Sequence, residues 1–415
     1  MSARKRIVLI GSGMAAFREY ALRAVASKAD VVVVSKFPLT WETPYCVDSV
    51  VVDLDDFPAV IERLTGMNPD GVLTYDERYV ELTAQLTAMF GVVGPTVEAV
   101  RAVKDKSELR RLLRQAGVGA IGYGVAETVD EARDIVSGLG LPVVFKPRAL
   151  GGSVGVRLVT SDDQIEGAFA DAVGARIGPV RSRYDGVLIE EYIDGPEISV
   201  DAVTYHGVTT PLVVAEKETG LDPYFEELGH IVPPRAELLS DEALELVRRT
   251  HQVAGLDNVV SHAELRLSSR GPRVIELNAR LAGDLIPYLG LLAHGVDLAG
   301  AAADVALGIE PSTERKDLGT AAVRFLYPSQ DILVRSVALA QPIEDYPGLD
   351  SFTVLCAPGT EVLLPPRGYM SRLASLVAHG DTREQCLATI RDGSAAVTID
   401  AEALALDAAQ SNGAG

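Results

Sequence analysis

The sequence predicts an α/β amino-terminal unit followed by an α+β body, and three observations carry that prediction. In the first hundred or so residues, short all-apolar runs alternate with helical patterns, which is how a parallel sheet covered on both faces reads. Further along, residues 261–267 and 273–280 alternate polar and apolar across the turn Ser269-Arg270-Gly271-Pro272, as paired antiparallel strands do. Beyond residue 311, short strands and one helical pattern read as a small separate α+β unit.

A chain of 415 residues can bury the core of two or three domains. It has 58 acidic and 38 basic residues, a net charge of −20, and no basic block. Neither nucleic acid nor an anionic membrane is therefore expected as a partner, and a polyanionic substrate must be met by a few placed cations. Cys46, Cys356 and Cys386 are too scattered for a disulfide framework or a zinc cluster. The apolar run 7–10 is too short for a signal-peptide core, and no stretch approaches a membrane span. A soluble, reduced, cytoplasmic setting is the expectation. A homodimer is left open.

Taken in order, residues 7–10, 31–34, 50–52 and 71–74 read as buried strands with helices between them. Gly11-x-Gly13-x-x-Ala16 follows the first strand in the manner of a dinucleotide turn. That fingerprint needs an acidic residue for the ribose at the end of the second strand, where Ser35-Lys36 stands. The glycines are read instead as a tight turn that lets a helix pack on its strand. Residues 97–117 form one basic helical pattern carrying Lys104 and Lys106.

A strand over 141–147 ends on Lys146-Pro147, and Gly151, Gly152, Ser153 and Gly155 then make a glycine-rich hairpin. It leads into a strand rather than a helix, so it is no Walker loop, but its amides can close over phosphates. The apolar run from 187 ends in Glu190-Glu191-Tyr192-Ile193, followed by Gly195-Pro196-Glu197. Such a strand end can bracket a flat heteroaromatic ring. Residues 219–234 hold Phe225, Glu226, Glu227, His230 and several prolines, and read as a long loop of the kind that serves as a lid. Helices follow over 238–254 and 298–307, and 407–415 is a polar tail expected to be disordered.

The pair of strands at 261–280 organises the rest. Strand alternation puts Glu276, Asn278 and Arg280 on one face and Ile275 and Leu277 on the other. Pairing sets Glu264 opposite Glu276. A carboxylate, an amide oxygen and a guanidinium side by side suit a divalent cation held with polyphosphate, since magnesium takes oxygen ligands. Each signal has an ordinary alternative: a solvated edge, a simple turn, a satisfied histidine. Their order is more specific, running cation, cation, phosphate cover, purine edge, metal.

In that order the sequence resembles the ATP-grasp superfamily, and within it the L-amino-acid ligases of the bacterial dipeptide-synthase type. The finer resemblance rests on Asn278-Ala279-Arg280-Leu281-Ala282-Gly283-Asp284, on Phe225-Glu226-Glu227-Leu228-Gly229-His230-x-x-Pro233, and on Pro358-Gly359-Thr360-Glu361-Val362 with Pro365-Pro366-Arg367. It implies an ATP-grasp fold with a Rossmann-like (pre-ATP-grasp) domain over 1–100 and an ATP-grasp domain over 101–310. Within the latter, a lid subdomain spans about 118–186. A C-terminal α+β domain would occupy 311–406.

The resemblance further implies that Lys106 and Lys146 contact the ATP phosphates, with Lys104 competing for the first role. Gly151, Gly152, Ser153 and Gly155 would close over the phosphates, and Glu190, Tyr192 and Ile193 would read adenine. Glu197 would hold the ribose. Glu264, Glu276 and Asn278 would ligate two magnesium ions, or manganese in their place. Arg280, Lys146 and Gly283 would be catalytic, and Glu226, His230 and Arg280 would meet the substrate. The activity implied is ADP-forming ligation of a carboxylate to an amine, both substrates being amino acids or similar small molecules. Another ATP-grasp enzyme, of carboxylase or purine-pathway type, and a nucleotide-binding protein without turnover are the rivals.

Overall fold

The structure, a computed structural model, describes residues 4–177, 180–234 and 240–404. Both the start of the helix expected at 238 and the tail 407–415 lie outside the described residues.

Four parallel strands open the chain, in the spatial order Asp48–Val51, Asp30–Ser35, Arg6–Ile10, Gly71–Thr74. Alternation explains their unbroken apolar character. Val8, Ile10, Val32 and Val34 enter one core with Val60 and Leu64 of helix Phe57–Leu64. Ile7, Leu9, Val31 and Val33 enter another, shared with Leu281, Ala282 and Leu285. The interior positions of Arg6–Ile10 and Asp30–Ser35 are buried on both faces and are all apolar. The second core also seats the amino-terminal sheet directly against the turn that follows Asn278.

Residues 97–117 are two helices rather than one, Val97–Lys104 and Lys106–Ala116. Asp105 breaks the run with extended backbone and caps the second helix, accepting from the Ser107 amide at 3.0 Å. A small antiparallel sheet follows, ordered Tyr123–Ala126, Val187–Glu191, Val143–Pro147, Arg157–Val159, and backed by helices Val129–Leu139 and Ile165–Gly174. This sheet thus includes the strand Val187–Glu191, which lies beyond residue 186.

Eight antiparallel strands form the main sheet, ordered Gly271–Asn278, Val259–Ser268, Glu197–Tyr205, Val208–Gly220, Glu226–Val232, Thr320–Leu326, Ala374–Gly380, Leu349–Val354. Two expectations are corrected here. The long loop over 219–234 is a loop only at 221–225: Thr219 pairs with Glu227 and Gly220 with Glu226. Charged residues and prolines hid a strand whose polar side chains line the interior of a site. The residues after 311 do not form a separate sheet either, because Gly229–Val232 pairs with Ala321–Arg324 and carries the main sheet across that boundary. A second sheet of three strands, Glu361–Val362, Ile332–Leu339 and Val397–Ala403, lies beyond it. Among the described residues, no single helix is long and apolar enough to cross a membrane.

Candidate active site

A cleft lies between the smaller antiparallel sheet and the main sheet. The smaller sheet and its hairpin contribute Val144, Lys146, Glu190, Leu150, Gly152, Ser153 and Val154. The main sheet contributes Glu197, Lys217, Glu264, Arg266, Ile275 and Glu276. Glycine is required in the hairpin for two reasons. Gly152 and Gly155 have φ of +67° and +74°, and Ser153 between them has +55°. A Cβ on Gly155 would also come within 2.4 Å of the Ala175 side chain. The hairpin therefore turns tightly beside the cleft.

Cations stand where the sequence put them, but each is already engaged. Lys106 Nζ donates to Leu150 O at 2.7 Å and lies 3.2 Å from Glu276, tying the hairpin to the main sheet. Lys104 turns away, donating to Glu77 O at 2.8 Å; of the two lysines, only Lys106 lines the cleft. Lys146 lies 2.6 Å from Glu190, whose other oxygen accepts from Arg110 Nε at 2.6 Å. Burial alone would raise the Glu190 pKa, but Arg110 and Lys146 outweigh it and hold it at about 2. Glu190 is thus a permanent anion pinned from both sides. Arg110, one of the basic residues of the 97–117 pattern, is 2 % exposed and also donates to Ile275 O at 2.7 Å.

A belt of buried charges continues along the main sheet. Arg266 holds Glu197 (3.0 Å), the Tyr192 hydroxyl (3.0 Å) and Ile193 O (3.0 Å), and lies over the rings of Tyr192 and Phe225. The Tyr192 amide is committed to Pro142 O at 3.1 Å. Lys217 meets Glu197, Glu227 and Glu264 at 2.7, 2.8 and 3.1 Å. Burial opposes its charge, yet the three carboxylates raise its pKa well above the usual lysine range. His262 bridges Asp201 at 2.7 Å and Glu264 at 3.4 Å, and these acids, against burial, raise it to about 9.

Glu264 and Glu276 are direct register partners, as the sequence predicts. A bulge after Glu264 breaks the alternation beyond them, so Ile275 and Glu276 both line the cleft. The expectation that Ile275 lies on the face opposite Glu276 is corrected accordingly, while Glu276 and Asn278 stay two regular ladder steps apart. The strand ends at Asn278, which is 4 % exposed and pairs with His262. Arg280 lies past it, with Nε 3.0 Å from Glu77 of the amino-terminal unit. The donors nonetheless suit a hard cation: two facing carboxylates, each now met by an ammonium, with an amide at the end of the strand.

Next to Lys217 the belt enters a second cluster. Glu227, His230 and Asp284 bring ligand atoms within 4.8 Å of one another. Arg372 grips both oxygens of Asp284 at 2.6 Å and Lys217 holds Glu227, so this node is charge-compensated by side chains. Glu226, expected to meet substrate, points the other way: it is 1 % exposed and accepts from the Tyr327 hydroxyl at 2.9 Å and the Met370 amide at 3.1 Å. Its neighbour Glu227 is the one in the cleft. Asp284 and Leu285 both have positive φ (+50° and +63°) beside Gly283. For two consecutive non-glycine residues this costs roughly 1–3 kcal/mol each. Arg372 on Asp284 and Arg18, which donates to Ala282 O at 2.9 Å, hold that turn.

The ATP-grasp domain family matches residues 139–288. The chain therefore carries an ATP-grasp domain. It is 27 % identical over 258 residues to the alanine–anticapsin ligase of Bacillus subtilis (strain 168), covering 57 % of this chain and 53 % of that one. It is 29 % identical over 336 residues to carnosine synthase 1 of Gallus gallus, covering 74 % and 36 %. The match thus spans about half the length of the first and about a third of the second. The fold superposes on the crystal structure of an L-amino acid ligase from Bacillus licheniformis with a TM-score of 0.81 at 19 % identity, over 96 % of this chain and 99 % of that one.

The matched stretch contains Lys146, the hairpin, Glu190, Glu197, Glu264, Glu276 and Arg280. Lys106, Arg110 and Arg372 fall outside it. Sequence reading missed Lys217, Arg266, His262 and Arg372. Lys217 left a trace, a lone lysine closing the apolar run 211–215 in the way Lys146 closes its own strand. Arg372 left none, since nothing local marks an arginine whose partners lie 88 residues upstream.

Proposed function

We propose that this protein is an ADP-forming ligase that activates an amino-acid carboxylate as an acyl phosphate and joins it to an amine, a second amino acid fitting best. One observation supports this above the rest. A glycine-rich hairpin faces two paired carboxylates across a cleft that Glu227, part of an acidic, histidine-containing cluster, also lines. A carboxylate cannot acylate an amine directly, because it would have to expel oxide or hydroxide. Transfer of the γ-phosphoryl group makes phosphate the leaving group.

In this reading the hairpin amides, Lys106 and Lys146 hold the phosphates, Glu197 holds the ribose, and the Tyr192 carbonyl with the Ile193 amide reads adenine. Glu190 acts by fixing Lys146 and Arg110. Glu264, Glu276 and Asn278 would hold magnesium, which when bound neutralises charge along the phosphates. Arg280 and the strained turn at Gly283 stabilise the transferring phosphoryl group and the later oxyanion. Glu227, His230 and Asp284 receive the ammonium end of an amino acid, Glu227 taking the role first given to Glu226.

The test is a matrix of amino acids and amines with ATP and magnesium, following phosphate release and product mass. Phosphate release that needs both a carboxylate and an amine, with a product lighter than their sum by one water, is the expected result. ATP consumption driven by bicarbonate alone would move the protein to the carboxylase group, and none at all would leave a nucleotide-binding protein.

A further inference from the structure

The loop from Tyr369 to Arg372 touches three separate parts of the site. Met370 lies against the glycine hairpin: a Cβ on Gly152 would fall 2.7 Å from its sulfur. Tyr369 packs edge-on to Tyr224 of the 221–225 loop, and its hydroxyl lies buried beside the Gly155 backbone. The Met370 amide fixes Glu226 at 3.1 Å, and Arg372 fixes Asp284 through two bonds of 2.6 Å and the Tyr327 hydroxyl at 3.0 Å. Met370 itself has φ of +53°, a conformation a methionine adopts only when its surroundings impose it. Its side chain is 39 % exposed, so burial of its own bulk does not account for it.

We propose that Met370 is a positioning residue that backs the glycine hairpin. Through this loop, closure over the phosphates is tied to the turn at Gly283–Leu285 on the acceptor side. The hairpin has no side chain with which to hold itself shut at Gly151 or Gly152, and Met370 supplies a contact there. Arg372, two residues on, braces the acceptor turn from the same loop. A loop attached at both ends lets neither half of the site close alone. Its chemical consequence rests on the ligase reading: a hairpin closed only when the acceptor turn is braced keeps water from the acyl phosphate until the amine is seated. Water attacking instead would regenerate the free carboxylate and release phosphate with no amide formed.

The test uses Met370→Gly and Met370→Leu in the full chain. Glycine suits the positive φ and removes only the side chain, so Met370→Gly is expected to fold; leucine keeps the bulk. Amide-hydrogen exchange across 150–155 is measured with magnesium and a non-hydrolysable ATP analogue, and phosphate released per amide formed is measured in turnover. In Met370→Gly both rise by roughly three- to tenfold, as a coupling contact of this kind carries, while Met370→Leu stays near the parent. Parent-like exchange in Met370→Gly, or faster exchange spread evenly over the whole protein, overturns the proposal. The exchange readout needs only nucleotide. A parent that forms no amide but shows the exchange difference overturns the ligase reading and sustains the role of Met370.

Discussion

The Lys217 ammonium lies 3.1 Å from the Glu264 carboxylate, and it is the only cation joining Glu264, Glu197 and Glu227 among the described residues. Removing it leaves three carboxylates, each at most 14 % exposed at the side chain, without their shared counter-charge. Breaking a buried ion pair from one side costs roughly 3–5 kcal/mol. Lys217→Met is therefore expected to lower thermal stability sharply. Magnesium should restore more of it in the variant than it adds to the parent, because a divalent ion can take the vacated position. A variant that melts with the parent, or ignores magnesium, would show that Lys217 does not hold these acids together.

Arg280 is anchored by Glu77, 203 residues away. Arg280→Lys keeps the charge and loses the planar pair of donors that suits phosphate and carboxylate oxygens. Turnover should fall by roughly 10²–10³, the usual cost of one stabilising donor at the transition state, with ATP KM little changed. Glu77→Gln, which loosens the anchor and leaves the guanidinium, should fall less. Steady-state kinetics on the two variants decide it: turnover within about twofold of the parent in Arg280→Lys removes Arg280 from the chemistry.

What the sequence could reveal here depended on range. The parallel sheet and the opposition of Glu264 and Glu276 follow from local alternation and a turn, and both are found as expected. The bulge that brings Ile275 beside Glu276 was invisible, because one extra residue leaves composition unchanged. The strand Glu226–Val232 was mistaken for a loop because its inward residues are charged, a pattern that polarity alone assigns to solvent. Salt-bridge partners such as Arg110 with Glu190, or Arg372 with Asp284, come together only through the three-dimensional fold. A lone arginine on an amphipathic helix reads as surface until its anion is known.

His251 offers a pH test away from the proposed chemistry. Its ring is fully buried, with Nδ1 2.7 Å from Val247 O and Nε2 2.6 Å from Ser261 Oγ. Burial lowers its pKa from the ordinary 6.5 to about 4. The folded state thus binds fewer protons than the unfolded state between these values. This stability is present above pH 6.5 and is lost as pH falls toward 4. Between pH 7 and pH 5 the loss is about 2 kcal/mol. Denaturant melts at both pH values should show that His251→Gln removes about this much of the parent's pH dependence. An unchanged difference would mean that His251 does not titrate this way.

Lys146 and Arg110 share Glu190 but should fail differently. Arg110 contacts both oxygens of Glu190, at 2.6 and 3.3 Å, and also satisfies Ile275 O. Arg110→Met leaves that carbonyl unpaired and Glu190 with a single counter-ion, so a folding loss of roughly 3–5 kcal/mol is expected. Lys146 makes one contact with Glu190, and burial, chiefly, lowers its pKa. A charge kept in that position at a cost to its own solvation points to use by a ligand rather than by the fold. Lys146→Met leaves Arg110 on both oxygens of Glu190 and Ile275 O with its donor, so stability should fall less than in Arg110→Met, while ATP affinity falls at least tenfold, about 1.4 kcal/mol. Calorimetric titration with ATP and magnesium, set beside urea melts of both variants, separates the two roles. If Lys146→Met binds ATP as the parent does, the lysine serves only to neutralise Glu190, and the phosphate contact belongs to Lys106 and the hairpin alone.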